Sequence, residues 1–172
     1  MPVRDRVAPA VLIAALLLTG CGPGSPPPAA SGTPTSTVTP DAEEAAFRAA
    51  EATYRAYVDA LNDRRSNPDS AIDPHTYLDG DAARSAEETA HELAEAGMRV
   101  IGRTEIVWIE SSSTSRAEST LKTCVDLSNT RLVDAESADV TPASRPDRQV
   151  LAVMVAEGGR TITNIVVEPE RC

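Results

Sequence analysis

The chain has 172 residues, 26 of them acidic and 16 basic, for a formal net charge of −10, and only 3% are aromatic. A surface this acidic repels phosphate backbones and anionic headgroups, which excludes nucleic acid as a partner and electrostatic docking onto lipid. The basic side chains are almost all arginine, with Lys122 the single lysine, and alanine is abundant, a usage typical of high-GC genomes.

Residues 1–20 open with Arg4 and Arg6 and continue as an apolar run from Val7 to Leu18, broken only by Pro9. A membrane-spanning helix needs ~20 apolar residues, so a run this short ending in small residues predicts a removed signal peptide. Leu18-Thr19-Gly20-Cys21 completes the pattern of a bacterial lipoprotein signal: the small residues admit a peptidase, and the Cys21 thiol accepts diacylglycerol. The expectation is a palmitate-bearing lipoprotein held by Cys21 on the extracytoplasmic face of the cell membrane, with the membrane as its partner through that anchor. One acyl chain binds reversibly and two or three bind stably. An ordinary secretory signal with an incidental cysteine, or an uncleaved anchor, are the other readings. Residues 1–20 hold Arg4, Arg6 and Asp5, so the remainder carries 14 basic and 25 acidic side chains, net −11.

Residues 21–39 form a linker in which Pro23, Pro26, Pro27, Pro28 and Pro34 stand among Gly, Ser, Thr and Ala, without a charge. Such a segment buries too little to fold and predicts a disordered tether, ~55 Å long if extended at about 3.1 Å per residue. Its composition also suits O-glycosylation at Thr33, Thr35, Ser36, Thr37 and Thr39.

The segment 40–172 suits one domain with one core. Thr39 as N-cap, Pro40 at the first helical position and Asp41, Glu43 and Glu44 in the first turn predict a helix to about Arg65. Phe47, Tyr54, Val58 and Leu61 form its thin apolar stripe. Asp73-Pro74 predicts a short second helix, and Asp81–Ala96 a third with Gly97 as its C-cap and an Arg84–Glu88 pair at i, i+4. After Gly97 the period falls to two. Arg99–Glu110 predicts a strand bent at Gly102, with Val100, Ile106 and Trp108 on one face, and Ser111–Thr114 a turn. Arg116–Leu127 alternates cleanly, with Ser119, Leu121, Thr123 and Val125 sharing a face. Val150–Glu157 and Thr161–Val167 predict a hairpin around Gly158-Gly159. Helices followed by an antiparallel meander give α+β, the helices packed on one face of the sheet.

An exported chain favours oxidised cysteines, so Cys124 and Cys172 are expected to pair, against free thiols or intermolecular bridging. The residues then resemble a family. Three N-terminal helices and a bent four-stranded antiparallel sheet, together with Lys122-Thr123-Cys124-Val125-Asp126-Leu127-Ser128, Val133-Asp134-Ala135, a proline-bearing loop to Arg148 and the final cysteine, resemble small exported actinobacterial NTF2-like domains. The resemblance covers about residues 41–172. It implies the cone-shaped fold shared with the SnoaL and ketosteroid isomerase branches, a structural disulfide and a homodimer through the sheet, but no activity.

In that fold a pocket between helices and sheet would be lined by Tyr54, Tyr57 and Trp108, and by Tyr77; the bland alternative is that Tyr54 and Trp108 are simply core. Asp59 beside Tyr57 is the one carboxylate suggesting an isomerase-type base, and on an amphipathic helix it reads better as a solvated acid. His75 reads as an exposed or capping residue, and His91, between Glu87 and Glu95, as part of a solvated face. Asp73, Asp79 and Asp81 lack the spacing of a calcium loop, and two histidines 16 apart fit no usual metal spacing, so no metal or cofactor is expected. The leading functional reading is a non-catalytic domain that binds or scaffolds an envelope protein. The alternatives are a small-molecule or lipid binder using the cone, and an isomerase- or cyclase-type enzyme.

Overall fold

The computed structural model describes residues 40–115 and 117–172; the predicted signal peptide, Cys21 and the predicted tether lie outside the described residues. In chain order come α1 (Pro40–Ser66), a 3-10 turn (Pro74–Tyr77), α2 (Gly80–Glu95), β1 (Arg99–Gly102), β2 (Glu105–Thr114), β3 (Glu118–Asp126), β4 (Thr130–Val133), β5 (Arg148–Ala156), a second 3-10 turn (Glu157–Gly159) and β6 (Ile162–Glu168). The architecture is α+β. Two helices pack on a bent antiparallel sheet of order β2-β3-β5-β6, and β1 pairs separately with β4.

Helix α1 follows from its ends and its stripe. Asp41 and Glu43 sit in its first turn and Arg64 and Arg65 in its last, each sign complementing the helix dipole. Its buried stripe runs Ala50, Tyr54 and Val58, with Asn62 one turn further on. This stripe meets Leu121, Val125, Val153, Val155 and Ile162 from the inner face of the sheet. Complete burial of such aliphatic side chains contributes roughly 1.5–3 kcal/mol each, which makes this layer the stabilising centre. Gly159 lets α1 come this close: its φ is +66°, and a Cβ there would stand 2.5 Å from the Cβ of Ala49. Its carbonyl accepts a hydrogen bond from the Thr53 hydroxyl.

The predicted second helix is a single 3-10 turn capped by Asp73, whose side chain accepts from the His75 amide. Leu78 then bridges to Ile162, and the Asp79 amide donates to the Ile162 carbonyl, so the chain is pinned to the sheet before a longer helix can form. Helix α2 ends as its sequence predicts: with Gly97 at φ +64°, the Met98 amide reaches the Leu93 carbonyl and the Gly97 amide that of Ala94. Arg84 pairs with Asp81, not with Glu88.

The sheet departs from expectation at three points. Gly102 does not merely bend one strand; it ends β1, because its φ of +84° and a carbonyl of Asn129 only 1.9 Å from where a Cβ would lie turn the chain away. Ser111–Thr114 is strand, not turn, and the β2–β3 reversal follows it. Finally, the register of β2 slips between Ile106 and Trp108, a bulge that seats Ile106 opposite Val125 and Trp108 opposite Cys124. Trp108 therefore lies on the face away from the helices, not with Ile106.

Candidate functional site

Between α1, the first 3-10 turn and α2 lies an open groove of about 540 Å³, lined also by Met98, Arg99 and Val100 and by Ile165 of β6. Its origin is compositional. The inward side of α2 presents Ala82, Ala86, Ala90 and Leu93, and side chains this short do not reach across to α1. Of α2, only Ala82 is buried. Space that a leucine face would fill is left unoccupied by protein atoms.

The charge of the groove opposes that of the chain. None of its lining residues is acidic, whereas Arg65, His75 and Arg99 all line it. Arg65 is half-buried at the end of α1, in line with Leu61 and Tyr57 at four-residue spacing. It is held there by a small polar network. The Asn62 side-chain amide donates to the Thr104 carbonyl at 2.9 Å, its oxygen accepts from the Thr104 amide at 2.9 Å, and the Arg65 Nη1 donates to the Thr104 hydroxyl at 2.9 Å. Asn62 is 2% exposed, so this reciprocal pair is a buried, fully used amide. Burial lowers the Arg65 pKa, partly offset by Tyr57; burial raises that of Tyr57, partly offset by Arg65. Tyr57 is thus a neutral phenol at physiological pH beside a cation that stays charged. Among the described residues, no carboxylate forms an ion pair with Arg65 or Arg99.

The three aromatics expected to share a pocket are separated. Tyr57 lines the groove, and its ring centroid is 6.4 Å from that of Tyr54, but Tyr54 is 2% exposed within the core. Burial, with Tyr57 adding to it, pushes the Tyr54 phenol far above its usual pKa. The bulge in β2 removes Trp108 to the opposite face, and Tyr77 is half-buried without lining the groove. Asp59 is exposed on another side of α1, in a small cleft with Arg55, Asn62 and Arg103, apart from Tyr57. His75 is exposed, its amide donating to the Asp73 cap, and it also lines the groove, whereas His91 is exposed and faces Glu95 at 3.4 Å. Among the described residues no group of three metal-ligating side chains comes together, and no helix is long and apolar enough to cross a membrane. Sequence reasoning missed Arg65, Asn62 and Thr104. The available signal was Arg65 continuing the Tyr57–Leu61 line, a cation where an apolar residue would extend the stripe.

The C-terminal segment crosses the other face of the sheet. Cys172 is bonded to Cys124, with Cα atoms 6.0 Å apart, as expected from the sequence. Glu170 accepts from Lys122 at 2.5 Å, so the residues after β6 cross back over β5 to β3. Beneath them Cys124 and its neighbour Val150 are 0% and 1% exposed.

No family model and no curated protein matches the chain. Among solved structures, the intermembrane-space region of the chloroplast protein ARC6 is similar at 17% identity and a TM-score of 0.46, over 70% of this chain and 94% of that one.

Proposed function

We propose that this domain is a non-catalytic binding module that takes a small, apolar-bodied molecule into the α1–α2 groove, and that a lipid on Cys21 tethers it to the extracytoplasmic face of the cell membrane. The groove is the observation that carries this reading: it falls within the ~300–1,000 Å³ typical of small-molecule sites and has leucine and alanine walls with a few polar groups. The leader ending in Leu18-Thr19-Gly20-Cys21 supports the anchor, and helices preceding a bent antiparallel sheet support kinship with NTF2-like domains. Isomerase-type catalysis is disfavoured because Asp59, the carboxylate the sequence suggests as a base, opens onto a different cleft from Tyr57.

The test uses the chain from residue 21 with Cys21→Ser, which removes the acyl chains as competitors, and the neutral apolar probe N-phenyl-1-naphthylamine. Saturable fluorescence enhancement is expected, and Ala90→Trp, at an exposed position on the groove wall, should weaken it at least tenfold while changing stability by no more than about 0.5 kcal/mol. Absence of saturable binding, or full binding by the tryptophan variant, would overturn the groove as the site. A partner-protein reading rests on a different observation: Val166 and Val167 are 41% and 61% exposed on β6, an edge strand. Self-association of the same chain in sedimentation, abolished by Val167→Lys, would support it.

A further inference from the structure

We infer that the ligand of the groove is a single-chain anionic amphiphile, a long-chain carboxylate, whose head is held by Arg65 with Tyr57 beside it; this rests on the groove being a ligand site. The inference starts from an imbalance of charge. A half-buried guanidinium without a carboxylate is costly in a folded domain, because desolvation is offset only by a partner. This chain has acids in excess to supply one, yet among the described residues none lines the groove and none forms an ion pair with Arg65.

The cation is also positioned. Asn62 and Thr104 exchange two hydrogen bonds between α1 and the segment joining β1 to β2, and the Thr104 hydroxyl fixes one edge of the guanidinium through Nη1. An arginine has five N–H donors, so this single bond leaves a fork free for a planar two-oxygen acceptor. The neighbouring Tyr57, a neutral phenol, adds a donor without adding charge. One half-buried cation and one neutral donor along the same helix wall match a monoanion better than a dianionic phosphate. Arg99 also lines the groove but is exposed, and water screens it.

The remainder of the groove specifies the body of the ligand. Leu61, Leu78, Leu93, Met98, Val100 and Ile165 supply most of its apolar lining. The open volume of about 540 Å³ is sized for one acyl chain, not for a two-chain lipid.

The experiment compares cis-parinaric acid with its methyl ester, a pair differing only in the head, on the mature chain carrying Cys21→Ser. The acid is expected to bind at least tenfold more tightly than the ester. Arg65→Gln should remove this advantage, acid and ester then binding alike, and continued ester binding shows that the groove is intact. Equal affinity of acid and ester on the parent protein, or an Arg65→Gln variant that retains the difference, would overturn the carboxylate inference while leaving a neutral-ligand groove standing. If neither binds, the groove itself is not a ligand site and both readings fall. The comparison on the parent protein needs no variant to fold.

Discussion

The two sides of the sheet are finished in opposite ways. On one, the C-terminal segment is bonded to Cys124 and ion-paired to Lys122, leaving Cys124 and Val150 with almost no exposed surface. On the other, α1 seals its half of the inner face with Tyr54 and Val58, while α2 stands off and leaves a groove. The difference teaches that this small domain obtains its stability from the α1 side and the covalent strap. Helix α2 is correspondingly free to be built from alanines that fill little.

That division can be broken at its strongest point first. Removing the bridge with Cys124→Ser or Cys172→Ser should cost roughly 4 kcal/mol, since the bond closes a separation of 48 residues. Chemical denaturation with and without reductant would measure this. Binding in the groove, at temperatures where the variant is folded, should be unchanged, because the groove lies on the helix side of the sheet and the strap on the other. A smaller effect is expected at the junction of the two regions. Asn62→Ala leaves the Thr104 amide and carbonyl buried without their partner, a loss of about 2 kcal/mol, and frees Arg65 as well. It should therefore lower both the melting temperature and carboxylate affinity, whereas the disulfide variants lower only the first.

The smallest effect is confined to acid. Asp126 accepts from the Ser128 hydroxyl and amide and from Arg148, which together depress its pKa to about 2. A carboxylate depressed in the folded state contributes stability that is complete above its unfolded pKa, near 4, and is lost as pH falls through 2. Asp126→Asn should thus melt below the parent at pH 7, and the two curves should converge between about pH 4 and pH 2. A difference that persists unchanged at pH 2 would assign Asp126 a role independent of its charge.

Much of the fold is legible in the sequence because it is local. The stripe of α1, Gly97 as a cap, the alternation of β3 and the hairpin at Gly158-Gly159 each follow from spacing over a few residues. The disulfide is legible from the compartment the leader implies and from cysteine number. What is not legible is non-local or negative. Ile106-Val107-Trp108-Ile109 is apolar throughout, so nothing in it marks where the bulge falls, and Trp108 is assigned the wrong face. Strand β4 is only four residues long and exists through its pairing with β1. The groove is the hardest to read, for it is defined by what Ala82, Ala86 and Ala90 fail to fill. Of the three aromatics expected in a pocket, only Tyr57 is there, and Arg65 looks like an ordinary cation favourable to a helix C-terminus until its burial is known.

The exchange of bonds between Asn62 and Thr104 has a kinetic consequence. A side-chain amide giving and taking one bond each imitates a strand neighbour, so α1 is stitched to the segment before β2 much as another strand would be. Among the described residues helix α2 makes no equivalent stitch, and it buries only Ala82. Backbone amides of the two helices should therefore exchange with deuterium on separate clocks, α1 only with global unfolding and α2 through local opening well below it. Exchange in α2 faster than in α1 would mean that the groove has one fixed wall and one mobile wall.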